Sequence, residues 1–156
     1  MSRDTVSAWR GSFGNEYLER NELEPEKHKK KLREWAKLLD AFGNRQPSKI
    51  LEIGANVGQN IAALTDLTSA SLSAVEPNAE ARRRLAERQL IANDRIFDGV
   101  AHDLPFNDCE FDLVYTYGVL IHISPDKLLS SCKEIYRTSK RFILCAEYLS
   151  DQPVEK

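Results

Sequence analysis

The sequence has little cysteine and no long hydrophobic run. Its 156 residues include three cysteines, one methionine and two tryptophans. Cys109, Cys132 and Cys145 lack metal-site spacing, and their odd number favours reduced thiols in a cytoplasmic protein. The longest apolar runs, such as VLIHI, are far shorter than the roughly 18 residues that span a bilayer. The first residues, MSRDTVSAWRGSFG, contain no apolar core of the signal-peptide type.

The chain also lacks a strong charge of either sign. Its formal net charge is −2, so no global basic field attracts nucleic acid or an anionic membrane. Hydrophobic residues make up 42% and charged residues 29%, as in ordinary globular proteins. The length fits one compact domain with a real core. These features predict a cytoplasmic protein of one domain, without nucleic-acid or membrane partners.

Helical and strand patterns alternate along most of the chain. A helix is predicted over 25–42, where leucines and Trp35 recur at helical spacing and the basic run from Lys27 to Arg33 forms a solvated face. Further helices are predicted over 58–67, 78–90 and from 124 to about 137, with Leu67, Leu128 and Cys132 among their inward positions. The predicted strands are 49–54, 72–77, part of 95–102, 111–123 and 141–148.

This alternation predicts an α/β fold. Right-handed βαβ crossovers give a Rossmann-like, mostly parallel sheet with helices on both faces. The apolar runs at 111–115 and 142–145 are typical of strands buried on both sides. Ligands bind such sheets at the carboxyl ends of the strands, so the residues that end each strand are the candidate site.

The first strand ends in EIGANVG, residues 52–58. Gly54 and Gly58 allow a tight turn and a close approach of the backbone to a ligand, and Asn56 tolerates a left-handed backbone. The spacing differs from the G-x-G-x-x-G of dinucleotide-binding loops. Glu52 is costly in a buried strand unless it is paired, so we expect it to serve the loop or a ligand.

The next two strands also end near carboxylates. Glu76, followed by Pro77, lies about 20 residues after the glycine loop, where an acid suits ribose hydroxyls, although a helix-start carboxylate would look the same. Asp103 is placed to accept from an adenine amino group, with Leu104 and Phe106 beside the base. A turn residue is the alternative for Asp103.

Taken together, these residues and the segment FDLVYTYGVLIHI resemble the class I S-adenosylmethionine-dependent methyltransferases from about Lys49 to Tyr148. The resemblance implies S-adenosylmethionine as cofactor and S-adenosylhomocysteine as product. It implies that Glu76 holds the ribose and Asp103 the adenine. The methionine end would be bordered by Gly54, Ala55, Asn56 and Gly58. Asn56 departs from the glycine that is commonest at its place.

A finer resemblance concerns the segment WRGSFGNEYLERN, residues 9–21. Together with GANVGQN and YGVLIHISPD, it is similar to methyltransferases associated with pseudaminic acid biosynthesis, which implies a sugar or sugar-nucleotide acceptor. Residues 1–47 would then form a helical lid over a domain at 48–156, with Tyr17, Arg20 and Asn21 as candidate cofactor contacts. An arginine suits the methionine carboxylate. The alternative is that Trp9, Phe13 and Tyr17 merely pack a helix onto the domain.

Methyl transfer requires an oriented nucleophile and often a base. The fourth strand carries Tyr117, whose aromatic face suits a sulfonium, and His122, a candidate general base or substrate orienter. A packed structural histidine is the alternative for His122. Glu147 and Tyr148 are weaker candidates for the acceptor side. The chain lacks the Asn/Asp-Pro-Pro-Tyr/Phe motif of amino-methylating relatives and the Pro-Cys nucleophile of cytosine C5 enzymes.

The chain ends a few residues after the fifth predicted strand, at LSDQPVEK. We therefore expect the sheet to lack the final β6–β7 hairpin, and an open fifth strand would allow a homodimer. Two other functions remain open at this point. One is a non-catalytic or truncated S-adenosylmethionine-binding module, and the other is an NAD-type dinucleotide-binding protein.

Overall fold

The computed structural model describes residues 5–22 and 24–148. Three helices come first: α1 (Thr5–Arg10), α2 (Ser12–Glu19) and α3 (Pro25–Asp40). Strands and helices then alternate as β1 (Lys49–Ile53), α4 (Gln59–Leu67), β2 (Ser71–Val75), α5 (Ala79–Glu87), β3 (Ile96–Phe97), β4 (Phe111–Tyr117), α6 (Pro125–Thr138) and β5 (Ser139–Ala146). Short 3₁₀ turns precede β3 and follow β4.

The sheet confirms the predicted Rossmann-like α/β fold. Its five strands lie in the order β3-β2-β1-β4-β5, and every neighbouring pair is parallel. The order reverses between β1 and β4, so the switch point lies at the carboxyl ends of these two strands. Among the described residues, no helix is long and apolar enough to cross a membrane.

Two apolar clusters cover the two faces of the sheet. On one face, Trp35 and Leu39 of α3 pack with residues of α4, α5 and alternate strand positions such as Ile50 and Tyr115. On the other face, Ile135 of α6 packs with Leu51 and with residues between 97 and 114. The α3 helix therefore belongs to the core, while α2 touches it through Leu18, which packs on Val57 and Ala81.

Several predicted burials and boundaries are wrong, each for a local reason. Ile135 of α6 is buried as predicted, but its buried neighbours on the helix are Ser131 and Thr138, and Leu128 and Cys132, which were also predicted to be buried, are exposed. Leu67, the last residue of α4, is also exposed. The third strand lies within the predicted range 95–102, as expected, and is only two residues long, because a bridge between Val100 and Asp103 turns the chain back.

The last two strands along the chain, β4 and β5, also differ from the prediction. The fourth strand ends at Tyr117, since Gly118 has a φ of 66° and turns the chain into a 3₁₀ turn over 120–122. The β4 residues 111–115 are buried on both faces as predicted, but β5 is not. Ile143 is 45% exposed, because β5 is the edge strand and its alternate residues face away from the packed side.

Gly58 and Gly43 provide a matched test of the packing around the first loop. Both have a left-handed backbone, with φ of 81° and 53°. A Cβ at Gly58 would lie 2.3 Å from Cδ1 of the fully buried Leu85, whereas a Cβ at Gly43 would meet nothing within 4 Å.

We predict that Gly43→Ala lowers the free energy of unfolding by about 1 kcal/mol, the cost of a left-handed alanine. Gly58→Ala should cost about 2–4 kcal/mol, because overpacking against Leu85 adds to that backbone cost. Urea unfolding followed by circular dichroism measures both values. Equal losses for the two variants would contradict the packing described here.

Candidate functional site

A cavity of about 290 Å³ opens at the carboxyl ends of β1, β2 and β4. Its size is close to the lower limit for small-molecule sites, and it lies at the switch point of the sheet. The N-terminal helices cover one side, and the loops after β1, β2, β3 and β4 form the rest. The residues on its wall that matter below are Trp9, Tyr17, Asn21, Lys31, Glu52, Gly54, Ala55, Asn56, Glu76, Pro77, His102, Tyr117, His122 and Tyr148.

The loop after β1 is tied to the neighbouring strand. The amides of Gly54 and Ala55 both donate to the carbonyl oxygen of Val75, at 2.8 and 3.2 Å. Asn56 has a φ of 49°, the left-handed backbone that the sequence predicts for it. Gly54 has no side chain and Ala55 has only a methyl group, so backbone groups of this loop lie at the surface of the cavity.

Glu76, at the end of β2, is the best-connected acid of the site. One carboxylate oxygen accepts from the Asn56 amide at 2.8 Å, and the other accepts from the Asn78 amide at 2.9 Å. The side chain is buried, and burial raises its pKa, while these two amides act in the opposite direction. Each oxygen keeps a second lone pair, so the carboxylate can hold two further donors on the cavity side.

Asn78 connects the same corner to the N-terminal helices. Its side-chain oxygen caps α5 by accepting from the Ala81 amide, as expected for an N-cap. Its side-chain nitrogen donates to the Trp9 carbonyl oxygen at 2.8 Å and to Asn15 at 3.0 Å. Position 14 beside this contact requires a glycine, because a Cβ there would lie 2.6 Å from the Asn78 side-chain nitrogen.

Glu52 lies at the bottom of the cavity and is 1% exposed. Asn60 donates to its Oε1 at 2.7 Å, and the Trp35 indole donates to the Asn60 oxygen at 3.1 Å, which fixes the orientation of that amide. Glu52 Oε2 makes no hydrogen bond of normal geometry among residues 5–22 and 24–148, and the buried Tyr115 hydroxyl, which also has no such bond there, is a potential donor to Glu52. Burial raises the pKa of Glu52 to about 8, so most of it is protonated at neutral pH.

Lys31 on α3 also lies on the cavity wall, although its basic run was predicted to be a solvated face. Its side chain is 13% exposed, and its ammonium lies 3.2 Å from the centre of the Tyr117 ring and 3.2 Å from Glu34. Glu34 in turn accepts from the Tyr117 hydroxyl at 2.9 Å. Burial is the largest effect on Lys31 and lowers its pKa. Lys31 lies four residues before the buried Trp35, so the two residues share one face of α3. This spacing could have indicated from the sequence that Lys31 is partly buried.

His122 lies in the 3₁₀ turn after β4 and faces the N-terminal helices. Its ring centre is 4.9 Å from that of Trp9, which also contacts Phe13 and Tyr17 edge-on. Glu147 holds this turn in place, because its carboxylate accepts from Thr116 Oγ1 and from the amides of Val119 and Leu120. Tyr117 and His122 therefore reach the cavity as the sequence predicts, and Glu147 supports the turn without lining the cavity.

The predicted adenine contacts lie away from the wall. Leu104 is buried in the core, its amide donates to Glu134, and neither it nor Asp103 lines the cavity. The bridge between Val100 and Asp103 brings the residues before them, 99–102, to the wall instead. Arg20 is also outside the lining and lies 5.3 Å from the Tyr17 ring, on which it stacks.

Comparisons with known proteins agree on one family. Residues 51–144 match the family model described as a methyltransferase domain. YrhH from Bacillus subtilis is 28% identical over 103 residues, which are 64% of this chain and 56% of YrhH. The O-methyltransferase cnsE from Penicillium expansum is 27% identical over 113 residues, 69% of this chain and 41% of cnsE. The chain thus spans about half the length of these relatives.

A solved structure supports the same fold. The crystal structure of YcgJ from Bacillus subtilis matches with a TM-score of 0.59 at 23% identity, covering 75% of this chain and 50% of YcgJ. The match concerns the fold alone.

The buried acid predicts an unusual pH dependence of stability. Glu52 has a folded pKa of about 8 against an ordinary value of 4.5, so the folded state binds the extra proton. Its contribution to stability is then complete below pH 4.5 and is lost as the pH rises to about 8.

We predict that the free energy of unfolding of the ligand-free protein falls between pH 5 and pH 8, relative to Glu52→Gln, by about 2–4 kcal/mol. Glutamine keeps the oxygen that accepts from Asn60 and cannot ionise. Glu87→Gln, which loses an exposed ion pair with Arg83, is the surface control. Urea unfolding at several pH values measures the difference, and parallel profiles for wild type and Glu52→Gln would refute the assignment.

Proposed function

Since this chain belongs to the methyltransferase domain family, we propose that it binds S-adenosylmethionine and transfers its methyl group to an oxygen or nitrogen atom of a small molecule. The observation that carries the proposal is the Glu76 carboxylate. It lies on the cavity wall, is held by two backbone amides, and keeps free lone pairs for the two hydroxyls of a ribose. The wall also has buried oxygens that make no hydrogen bond of normal geometry in the described residues, Glu52 Oε2 and Asn56 Oδ1, as expected around a polar ligand.

Each end of the cofactor has candidate residues on this chain. Gly54, Ala55 and Asn56 would border its methionine end, and Glu76 with Pro77 would hold the ribose. Gly58, which was predicted beside the methionine end, lies off the cavity wall against Leu85 and would support the turn of the loop. Residues 99–102 would lie along the adenine, with Asp103 and Leu104 supporting them from behind. Tyr17 would cover the cofactor from the lid, and Arg20 would act through its stacking on Tyr17. The division into a lid, 1–47, and a cofactor-binding domain, 48–156, belongs to the same proposal.

The bound cofactor would supply an electrophilic methyl group on a sulfonium. The acceptor side of the cavity would then be formed by Tyr117, the last residue of β4, and by His122 and Tyr148, which follow β4 and β5. Tyr117 would present its ring to positive charge, and its hydroxyl would stay protonated, because burial raises its pKa to about 12. His122 would take the proton of the acceptor or orient it. The Trp9 contact would hold the imidazole in place.

For the acceptor, we propose a sugar or sugar nucleotide. The similarity of residues 9–21 to methyltransferases associated with pseudaminic acid biosynthesis supports this class. The O-methyltransferase name of cnsE is compatible with an oxygen acceptor. A cytoplasmic location and a homodimer formed through the edge strand β5 are further parts of the proposal, and β5 pairs on one side with β4.

Calorimetry with S-adenosylhomocysteine tests the cofactor. We predict binding by the wild type and at least tenfold weaker binding by Glu76→Gln, because the new amide would oppose a backbone N–H and lose a ribose acceptor. Glu87→Gln should bind as the wild type does. NAD should give no heat, since the loop lacks the dinucleotide spacing. Absence of S-adenosylhomocysteine binding, or equal binding by Glu76→Gln, would overturn the proposed cofactor site.

A methyl-transfer screen with sugar nucleotides and amines tests the chemistry. For His122→Ala we predict a loss of about 10²-fold in turnover, the usual contribution of a positioned base. Its affinity for S-adenosylhomocysteine should stay within about threefold of wild type, because His122 touches the lid and lies apart from the ribose corner. Full turnover in this variant would remove the catalytic role of His122.

A further inference from the structure

Lys31 brings a positive charge to the cavity wall with little solvent around it. Its side chain is 13% exposed and lines the cavity, whereas that of Lys30 is 77% exposed and lies outside the lining. The Lys31 ammonium lies 3.2 Å from Glu34 Oε2 and 3.2 Å from the centre of the Tyr117 ring. An ammonium group has three N–H donors, so one remains after these two contacts. Lys31 can therefore donate to a bound anion.

Glu34 compensates the charge of Lys31 only in part. Its carboxylate also lies 3.8 Å from the Lys30 ammonium and accepts from the Tyr117 hydroxyl. Two ammonium groups share this one carboxylate, so the three side chains together keep a positive charge. Glu52 also favours the charge of Lys31, but burial keeps most of Glu52 protonated at neutral pH because it raises its pKa to about 8. An anion on the cavity side would supply Lys31 with the missing partner.

The side of the cavity proposed for the acceptor has lysines and no carboxylate among its described residues. Its lining comes from α3, the end of β4, the following turn, the start of α6 and the segment after β5, and its lysines are Lys31 and Lys127. The carboxylates on the described wall are Glu52 and Glu76, which lie in β1 and directly after β2. Lys127 lies in the first turn of α6, where backbone N–H groups also favour an anion, and Asp126 in the same turn is outside the lining.

We propose that the methyl acceptor carries a carboxylate or phosphate group and that Lys31 binds this group. The inference rests on the proposed function, since it assigns a class of acceptor to the same cavity. Lys31 would hold the acceptor beside Tyr117 and would take no part in proton transfer. Lys31 precedes residues 51–144, which match the methyltransferase domain, so this contact would belong to the N-terminal helices of this chain. A neutral sugar would lack the group that Lys31 binds.

Calorimetry on protein saturated with S-adenosylhomocysteine tests this binding, because the carboxylate of that ligand is then already bound. The probes, at constant ionic strength, are two anions and one neutral sugar. Pyrophosphate represents the diphosphate of a sugar nucleotide, glucuronate represents a sugar acid, and glucose is the uncharged control. We expect the wild type to bind at least one of the anions and to give no heat with glucose. The anion that binds more tightly identifies the source of the negative charge.

Lys31→Met removes the charge and keeps a side chain of similar length that suits the face of the Tyr117 ring. It should weaken anion binding about tenfold, as expected for the loss of a hydrogen bond between charged groups. Lys31→Gln is a second neutral replacement and should have the same effect. Lys30→Met is the matched control, because it removes the exposed ammonium that shares Glu34, and it should bind the anion as the wild type does. All three variants should bind S-adenosylhomocysteine within about threefold of wild type, which also shows that they are folded.

Three outcomes would contradict the inference. A wild type that binds neither anion, or anion binding of equal strength in the Lys31 variants, would overturn it and leave the proposed cofactor intact. A loss of about tenfold in S-adenosylhomocysteine affinity in these variants, with unchanged binding of 5′-methylthioadenosine, would assign Lys31 to the methionine carboxylate, since 5′-methylthioadenosine lacks the amino-acid end. No binding of S-adenosylhomocysteine by the wild type would overturn both this inference and the proposed function.

Discussion

The carboxylate of Glu76 is the constraint on which the geometry of the site depends. It accepts from the amide of Asn56 in the loop after β1 and from the amide of Asn78 before α5. The loop between β1 and α4 and the start of α5 are thereby held at one point. This point lies at the carboxyl ends of the strands, where ligands bind in parallel sheets. The hydrogen bonds from these two amides offset part of the cost of burying this acid, and the side chain lies on the cavity wall. Structure and ligand recognition thus share one side chain.

The N-terminal helices depend on the same corner. Asn78 follows Glu76 by two residues, caps α5 with its oxygen and holds the Trp9 carbonyl with its nitrogen. Trp9 then contacts His122, whose turn is held by Glu147. Contacts from β2, β4, β5 and α1 therefore meet around one small cavity. A disturbance at Asn78 should loosen α1 and the turn after β4 together, because they share this chain of contacts.

The fold and the carboxyl ends of β1 and β2 could be predicted from the sequence, because both depend on local patterns, whereas the end of β4 could not. Alternating helices and strands, the left-handed Asn56 and the position of Glu76 all follow from residue type and spacing. Asp103 and Leu104, the predicted adenine contacts, lie away from the cavity wall, because a bridge between Val100 and Asp103 turns the chain there. The position of Lys31 on the cavity wall was not predicted, because the charge of the basic run suggested a solvated face. The long side chain of Lys31 instead lies over the Tyr117 ring and is mostly buried. The exposure of β5 depends on its place at the edge, which pattern alone does not give.

A crystal structure of the protein with S-adenosylhomocysteine would show whether Glu76 holds a ribose within a methyltransferase cavity. We expect density in the cavity, with both ribose hydroxyls within hydrogen-bond distance of the Glu76 carboxylate. The methionine end should then lie beside residues 52–58. An unbound cavity, or a ligand whose ribose lies away from Glu76, would contradict the account.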